Sequence, residues 1–397
     1  MPSSPRALVP QGGNTGLVGG SVPRDGEVVV STSRMDAITD VDVDAGQLTA
    51  GAGVTLAAVQ NAAAASGWRY GVDFAARDSA TVGGMIATNA GGVRVVRHGS
   101  TRRQVLGIEA VTGAGRVISR LGGLVKDNTG YDLGGLFCGS EGTLGIVCRA
   151  RLALVAPTSN SVTALVGFDD VAAAIGATSR LRRGVPGLEA VEMVLRDGAE
   201  MVAAVSGVDP VLDPVPAVQL VVEAVGPPDP VEALSAAIES LPDVRGVAVA
   251  TDAGRSAALW QVREAHTESI ARLGTPLKYD VTLPAPRLAD FCVSIGHDVA
   301  AASSGSRTWI FGHVADGNVH VNVTGHAPGV ADAIGDAVLS AVHAAGGSVS
   351  AEHGIGTAKR QWLVANRGSD DVATMSAIAG ALDPDSICNP NVLLPSR

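Results

Sequence analysis

Trp309–Thr324, WIFGHVADGNVHVNVT, alternates side chains of opposite character on both sides of an Asp316-Gly317 pair. Asp-Gly between two alternating runs is a strong short-range signal for a β-hairpin. A two-residue turn there predicts that His313 pairs directly with His320, so that both imidazoles leave one face together with Trp309, Phe311, Ala315, Asn318, Asn322 and Thr324. The opposite face carries Ile310, Gly312, Val314, Val319, Val321 and Val323, an apolar set that must be buried. Directly opposed residues have Cβ atoms about 4.5–5.5 Å apart, so two imidazole nitrogens can converge on one ion at roughly 2.0–2.1 Å each. A single histidine on a half-exposed strand is usually an ordinary polar residue. Two on one face point instead to a metal, and the downstream cluster Ala351-Glu352-His353-Gly354 offers a further ligand and a base.

Outward from this hairpin the chain reads as strands and helices in a regular order. Strand Ser161–Phe168, helix Val171–Arg183 and strand Leu188–Leu195 form one unit. Strand Val218–Ala224, helix Val231–Leu241 and strand Gly246–Thr251 form a second, with Asp229 as N-cap and Pro230 in the first turn. Two strand-helix-strand units make a split βαβ pattern. A long helix over Gly254–Leu273 follows, with Leu259, Val262, Ile270 and Leu273 on its buried stripe. On it Arg263 and Thr267, four residues apart, share a face; Lys278 opens the next strand, Leu277–Leu283. The tail from Thr357 reads as two short helices and a coil.

The first third is different in grain. The chain has 50 glycines, and dense clusters of them fall at Gly12–Gly20, Gly83–Gly92 and Gly134–Gly145, beside one clear helix at Thr55–Ala65. Successive unhindered amides are how a backbone cradles a pyrophosphate. The first loop is Gln11–Gly20, the second Ser79–Gly92 and the third Gly139–Ile146. Any one of them alone is best read as a tight turn, and the first lacks the helix that a Rossmann fingerprint requires. Three inside one domain favour a long phosphate-bearing cofactor.

Composition excludes several classes. A length of 397 residues exceeds one ordinary core and suits two domains. A net charge of −10 without a basic run argues against nucleic acid. No apolar run approaches the roughly 18 residues of a membrane span, and the N-terminal MPSSPRALVPQGG lacks the apolar core of a leader. Cys138, Cys148, Cys292 and Cys388 have no paired spacing, which fits reduced thiols in a cytoplasm.

Taken together, GGNTGLVGG, ATVGGMIATNAGG, GSEGTLGIV, GHVADGNVHVN, AEHGIG and the late LDP…NP resemble the FAD-linked oxidases of the vanillyl-alcohol oxidase superfamily, in the family's order along essentially the whole chain. The branch most similar is that of the D-2-hydroxy-acid dehydrogenases acting on hydroxyglutarate or lactate. The resemblance implies an α+β fold: an FAD-binding domain of two α+β subdomains (PCMH type) over 1–155, then a ferredoxin-like split-βαβ substrate domain with the metal hairpin over 156–345. A small helical C-terminal segment, 346–397, would return to the flavin. It implies non-covalent FAD, because Asn14 stands where covalent members of the superfamily carry a histidine. The residues it implies on FAD are Gly12, Gly13, Asn14, Thr15, Gly16, Leu17, Gly19 and Gly20; Ser79, Thr81, Gly83, Gly84, Thr88, Asn89, Ala90, Gly91 and Gly92; and Glu141, Gly142, Gly145, Ile146 and Asn389. The ligands implied for a divalent metal, zinc or manganese, are His313, His320 and Glu352, with His353 as the catalytic base. Arg263, Thr267, Lys278 and Asn318 are the substrate residues.

The activity so implied is oxidation of a D-2-hydroxy acid to the 2-oxo acid, D-2-hydroxyglutarate first and D-lactate or glycolate as the alternative. The partners implied are a small anionic 2-hydroxy-acid substrate and an electron acceptor other than NAD, such as an electron-transfer flavoprotein, a quinone or a cytochrome, and a homodimer is compatible with the reading. Two other classes stay open: a metal-dependent hydrolase on His313, His320 and Glu352, and an inactive flavoprotein. The chain departs from the family at its start, where a further strand and helix precede the first glycine loop in the relatives. It also has Ala315 in place of a hairpin glycine, and lacks glycine and lysine after Pro390.

Overall fold

The computed structural model describes residues 6–158, 160–227 and 229–395; the first five residues, included above in the reading of the N-terminus, lie outside them. The chain divides into two compact units, Met1–Pro157 with Glu352–Arg397, and Thr158–Ala351.

In the first unit, strands β1 (Leu8–Gln11) and β2 (Val28–Ser31) pair in parallel. A separate antiparallel sheet has the order β3 (Ile38–Asp42), β4 (Gln47–Gly51), β7 (Gly145–Ala153), β5 (Val105–Thr112), β6 (Val117–Ser119). Two sheets of different direction are the two α+β pieces expected from the resemblance. Helix Leu56–Ala65 starts where the sequence places it, because the Thr55 side chain accepts the Ala58 amide. One part of the glycine-rich second loop is helical rather than irregular: Val82–Thr88 forms a helix, with Val82, Met85 and Ile86 buried at i, i+3 and i+4. That apolar spacing outweighs the low helix propensity of Gly83 and Gly84. The tail helices Arg360–Arg367 and Ser369–Leu382 add Leu363, Val372 and Ala379 to this unit's core.

In the second unit the elements are β8 (Ser161–Phe168), helix Val171–Gly184, β9 (Leu188–Leu195), helix Arg196–Ser206, β10 (Val218–Val225), helix Pro230–Glu239 and β11 (Val244–Ala250). The sheet order β11-β8-β10-β9 is the split-βαβ arrangement that the two sequence units predict. Beyond β9 the sheet continues through β13 (Arg307–His313), β14 (Asn318–Thr324) and β12 (Leu277–Thr282) to seven strands, antiparallel throughout. The predicted long helix is two, Ala253–Glu264 and His266–Arg272, meeting at Ala265, whose backbone stays right-handed helical. Arg263 and Thr267 therefore lie on either side of a junction.

The hairpin differs in register. Phe311, not His313, pairs with His320, and Arg307 pairs with Thr324. Val314 and Ala315 leave the ladder and are buried, and the Asp316 side chain accepts the Asn318 amide, so the turn takes four residues instead of two. A shift of two residues keeps each side chain on its face. The predicted sides survive: Val319, Val321 and Val323 are wholly buried on one, each contributing roughly 1.5–3 kcal/mol by burial. Helix Ala331–Ala344 covers that side, its Ala331 carbonyl accepting from Tyr279, the neighbour of Val321. On the other side Trp309 and Phe311 pack with Met201, Val202 and Ile270 from the helices above.

Candidate active site

The polar face of the sheet carries one part of the site. Register places Glu192 beside His313, Val194 beside Phe311, Phe311 beside His320, and His320 beside Asp280; the next row holds Trp309, Asn322 and Lys278. Strand periodicity thus puts Arg263's partners, both histidines and Lys278 on one surface.

The hydrogen bonds define which nitrogen of each imidazole points where. Glu192, with 0% of its surface exposed, takes His313 Nδ1 on Oε1 at 2.5 Å and Arg263 Nε on Oε2 at 2.8 Å. Burial alone would raise its pKa. The charges of His313 and Arg263, the bond from His313 and the charge of His320 outweigh burial and hold the carboxyl at about 2. On the far side Asp280, also buried, lies 3.3 Å from His320 Nδ1 and accepts Asn318 Nδ2 at 2.7 Å. With both Nδ1 atoms facing carboxylates, the Nε2 atoms of His313 and His320 face each other at 3.3 Å. Where both rings are neutral, two lone pairs at that distance repel unless a cation, a shared proton or a metal ion, lies between them. Two ligands of one tetrahedral ion at roughly 2.0–2.1 Å stand about 3.4 Å apart. Carboxylates behind ligating imidazoles are the usual outer support of such an ion. His313 and His320 thus fit a divalent metal.

The remaining predicted substrate residues are spread in character. Arg263 is buried, its guanidinium 4.3 Å from the centre of the Phe311 ring, whereas Thr267 and Lys278 are exposed. Asn318 commits its amide to Asp280 and to the Val281 carbonyl at 3.0 Å, so it braces the site. Asn322 presents a buried Nδ2 with no hydrogen-bond partner among the described residues, on the same face, between Trp309 and Lys278. Such a donor is costly unless a ligand accepts from it.

Sequence reasoning missed Glu192 and gave Asp280 and Asn322 no role. The available signal was two carboxylates, Glu189 and Glu192, inside the strand LEAVEMVL, whose other six residues are apolar, where an acid is almost never buried without a partner.

In the first unit the three glycine loops come together. A Cβ on Gly12 would stand 2.2 Å from Thr81 Oγ1, and one on Gly13 would stand 1.7 Å from the Ser79 carbonyl oxygen, so only glycine lets the first loop touch the second. Gly13 to Leu17 remain exposed. Thr81 Oγ1, buried against Gly12, has no partner among the described residues. The second and third loops join through Gly139 N to Ile86 O at 2.9 Å and Glu141 N to Ala87 O at 2.8 Å. Asn14, Asn89, Glu141 and Asn389 all adopt left-handed backbone, φ between 44° and 53°. Such conformations cluster at ligand sites, where surrounding structure holds them. A glycine-rich cradle with an orphaned hydroxyl fits the pyrophosphate of a dinucleotide.

The tail is stapled to the same loops. Glu141 accepts the amides of Ile355 and Gly356, each at 2.7 Å. Burial pushes its carboxyl up, and those two amides pull the other way. Asn389 Nδ2 reaches the carbonyls of Gly20 at 2.8 Å and Glu141 at 2.7 Å. Glu352 Oε1 accepts the Gly92 amide at 2.6 Å. Glu352 and His353, both half-buried, therefore ride on a turn fixed by the second and third loops. Within the second unit, the Ala351 amide bonds the Asp280 carbonyl at 3.2 Å, and Glu352 follows one peptide bond later.

Known proteins resemble this chain over nearly its whole length. The family described as FAD binding domain matches residues 2–120, and that described as FAD linked oxidases, C-terminal domain, matches 158–393. A D-2-hydroxyglutarate dehydrogenase of Xanthomonas citri pv. viticola is 40% identical over 407 residues, covering 98% of this chain and 84% of that protein. The mitochondrial D-2-hydroxyglutarate dehydrogenase of Bos taurus is 36% identical over 401 residues, covering 98% of this chain and 73% of its own. Among solved structures, an alkyldihydroxyacetonephosphate synthase superposes with a TM-score of 0.71 at 17% identity, over 97% of this chain and 71% of that one, a likeness of fold.

Proposed function

Because this chain belongs to the FAD-linked oxidases and is an FAD-dependent 2-hydroxy-acid dehydrogenase of that family, we propose that it oxidises D-2-hydroxyglutarate to the 2-oxo acid with the help of a divalent metal, zinc or manganese. The observation that carries the metal is the 3.3 Å approach of His313 and His320 Nε2, each backed by a buried carboxylate. When bound, FAD would supply a two-electron acceptor for the α-hydrogen and the ion a Lewis acid for the hydroxy-carboxylate end.

The chain's own residues do the rest. His313, His320 and Glu352 would hold the ion; a carboxylate has enough lone pairs to accept the Gly92 amide and still ligate. His353 takes the proton of the α-hydroxyl as the α-C–H bond breaks and its electron pair leaves the substrate, and the C–O bond becomes the new carbonyl. Arg263 offers its guanidinium to a carboxylate, and Asn322 donates from the same face. Thr267 and Lys278 lie at the exposed margin, where a second, distal carboxylate would meet a point charge. Asn14, Asn89 and Glu141 of the glycine loops, with Thr81 and the tail residue Asn389, would hold the dinucleotide non-covalently. The final electron acceptor would be one other than NAD, of the flavoprotein, quinone or cytochrome class. The four cysteines are free thiols, which fits a reducing compartment such as the cytoplasm; no described helix is long and apolar enough to cross a membrane.

The deciding experiment is spectroscopic. The purified protein should be yellow, and anaerobic D-2-hydroxyglutarate should bleach it faster than D-lactate does. Flavin that no 2-hydroxy acid reduces would overturn the reading.

A further inference from the structure

Glu192 joins two functions that are written far apart in the chain. Its Oε1 holds His313 Nδ1 and its Oε2 holds Arg263 Nε, while the side chain itself has no exposed surface. A carboxylate at Nδ1 selects the tautomer whose proton sits there and whose Nε2 carries the lone pair, the form a metal requires. An arginine anchored through Nε keeps the paired Nη donors for a second carboxylate. The anchoring geometry comes from the sheet: β9 and β13 are adjacent, with Glu192 and His313 in register, and helix Ala253–Glu264 brings Arg263 over Phe311. One immobile side chain thus sets the distance between the imidazole of the metal and the cation of the substrate.

We propose that Glu192 is a positioning residue that aims His313 Nε2 and the Arg263 guanidinium together, so that metal affinity and substrate affinity depend on the same carboxylate. The inference rests on the metal-and-FAD reading above. Glu192→Gln conserves size yet can accept from only one of the two partners, because its amide nitrogen offers a donor where an acceptor is needed. Glu192→Asp keeps both acceptors but draws them back by one methylene.

The test titrates zinc into the metal-stripped, flavin-loaded protein against a chromophoric chelator, and measures kcat and KM for D-2-hydroxyglutarate with the metal restored. In Glu192→Gln, zinc affinity should fall about 10–100-fold and KM should rise at least several-fold, with flavin occupancy unchanged; Glu192→Asp should recover part of both. A purely structural carboxylate would lower the melting temperature and leave zinc affinity and KM of the folded protein at wild-type values, which would overturn the proposal. Wild-type protein that takes up no zinc would refute the metal reading itself and this inference with it. Wild-type uptake matched by Glu192→Gln would refute the inference alone.

Discussion

Acidification should destabilise this protein through His266, a residue with no assigned part in the reaction. The imidazole has 0% of its surface exposed, stands 5.1 Å from the Phe311 ring, and sits so close to Gly198 that a Cβ there would lie 2.6 Å from its Nε2. Burial, and then the Arg263 guanidinium, disfavour the imidazolium. The carbonyls of Val262 and Arg263 oppose the shift without reversing it, and the pKa falls from 6.5 to about 4. Between those values the unfolded chain binds a proton that the folded one refuses. Stability from the neutral ring is therefore complete above the unfolded value and is lost as the pH falls toward the folded one. Integrated over that gap, the loss on going from about pH 8 to about pH 5 is about 2 kcal/mol for this single group. The assay is urea unfolding of the wild type and of His266→Leu across that range. Carboxylates common to both proteins cancel in the difference, so the gap between the two curves should change by about 2 kcal/mol in favour of the wild type as the pH rises. Parallel curves would refute the argument that the ring is held neutral by its surroundings.

Three further outcomes follow from the same geometry. Gly13→Ala must displace the Ser79 carbonyl, 1.7 Å from the new Cβ, so the protein should be purified largely colourless; full flavin occupancy would contradict the close-approach argument. Glu141→Gln loses one of two charge-assisted bonds to the Ile355–Gly356 turn, a cost of roughly 1.5–3 kcal/mol, and since that turn carries His353, kcat should fall more than KM rises. Lys278→Met should raise KM for D-2-hydroxyglutarate by about 10-fold or more, as loss of a charge-assisted contact requires, while D-lactate is little affected. An equal loss on both substrates would remove the distal-carboxylate role from Lys278.

Much of this protein is decided by local pattern. The mostly apolar runs of β8, β9 and β10, the alternation along β14 and the cap residues Thr55 and Asp229 mark elements whose limits the structure moves by only a residue or two, because strand pattern and N-cap chemistry act within a few residues. The sharing of one face by His313 and His320 is equally local, and it survives a register shift of two because side chains alternate with period two. Even the glycine clusters declare their chemistry, since amides without side chains suit a phosphate. Only the tertiary structure decides what stands behind those residues. Glu192 meets His313 because β9 neighbours β13, Asp280 meets His320 because β12 closes the sheet beside β14, and Glu141 meets Ile355 because the tail folds back on the third loop. These are encounters between segments far apart in the chain, and no periodicity specifies which strand lies next to which. The buried carboxylates are tolerated only once those partners arrive, so their meaning is a property of the packed sheet.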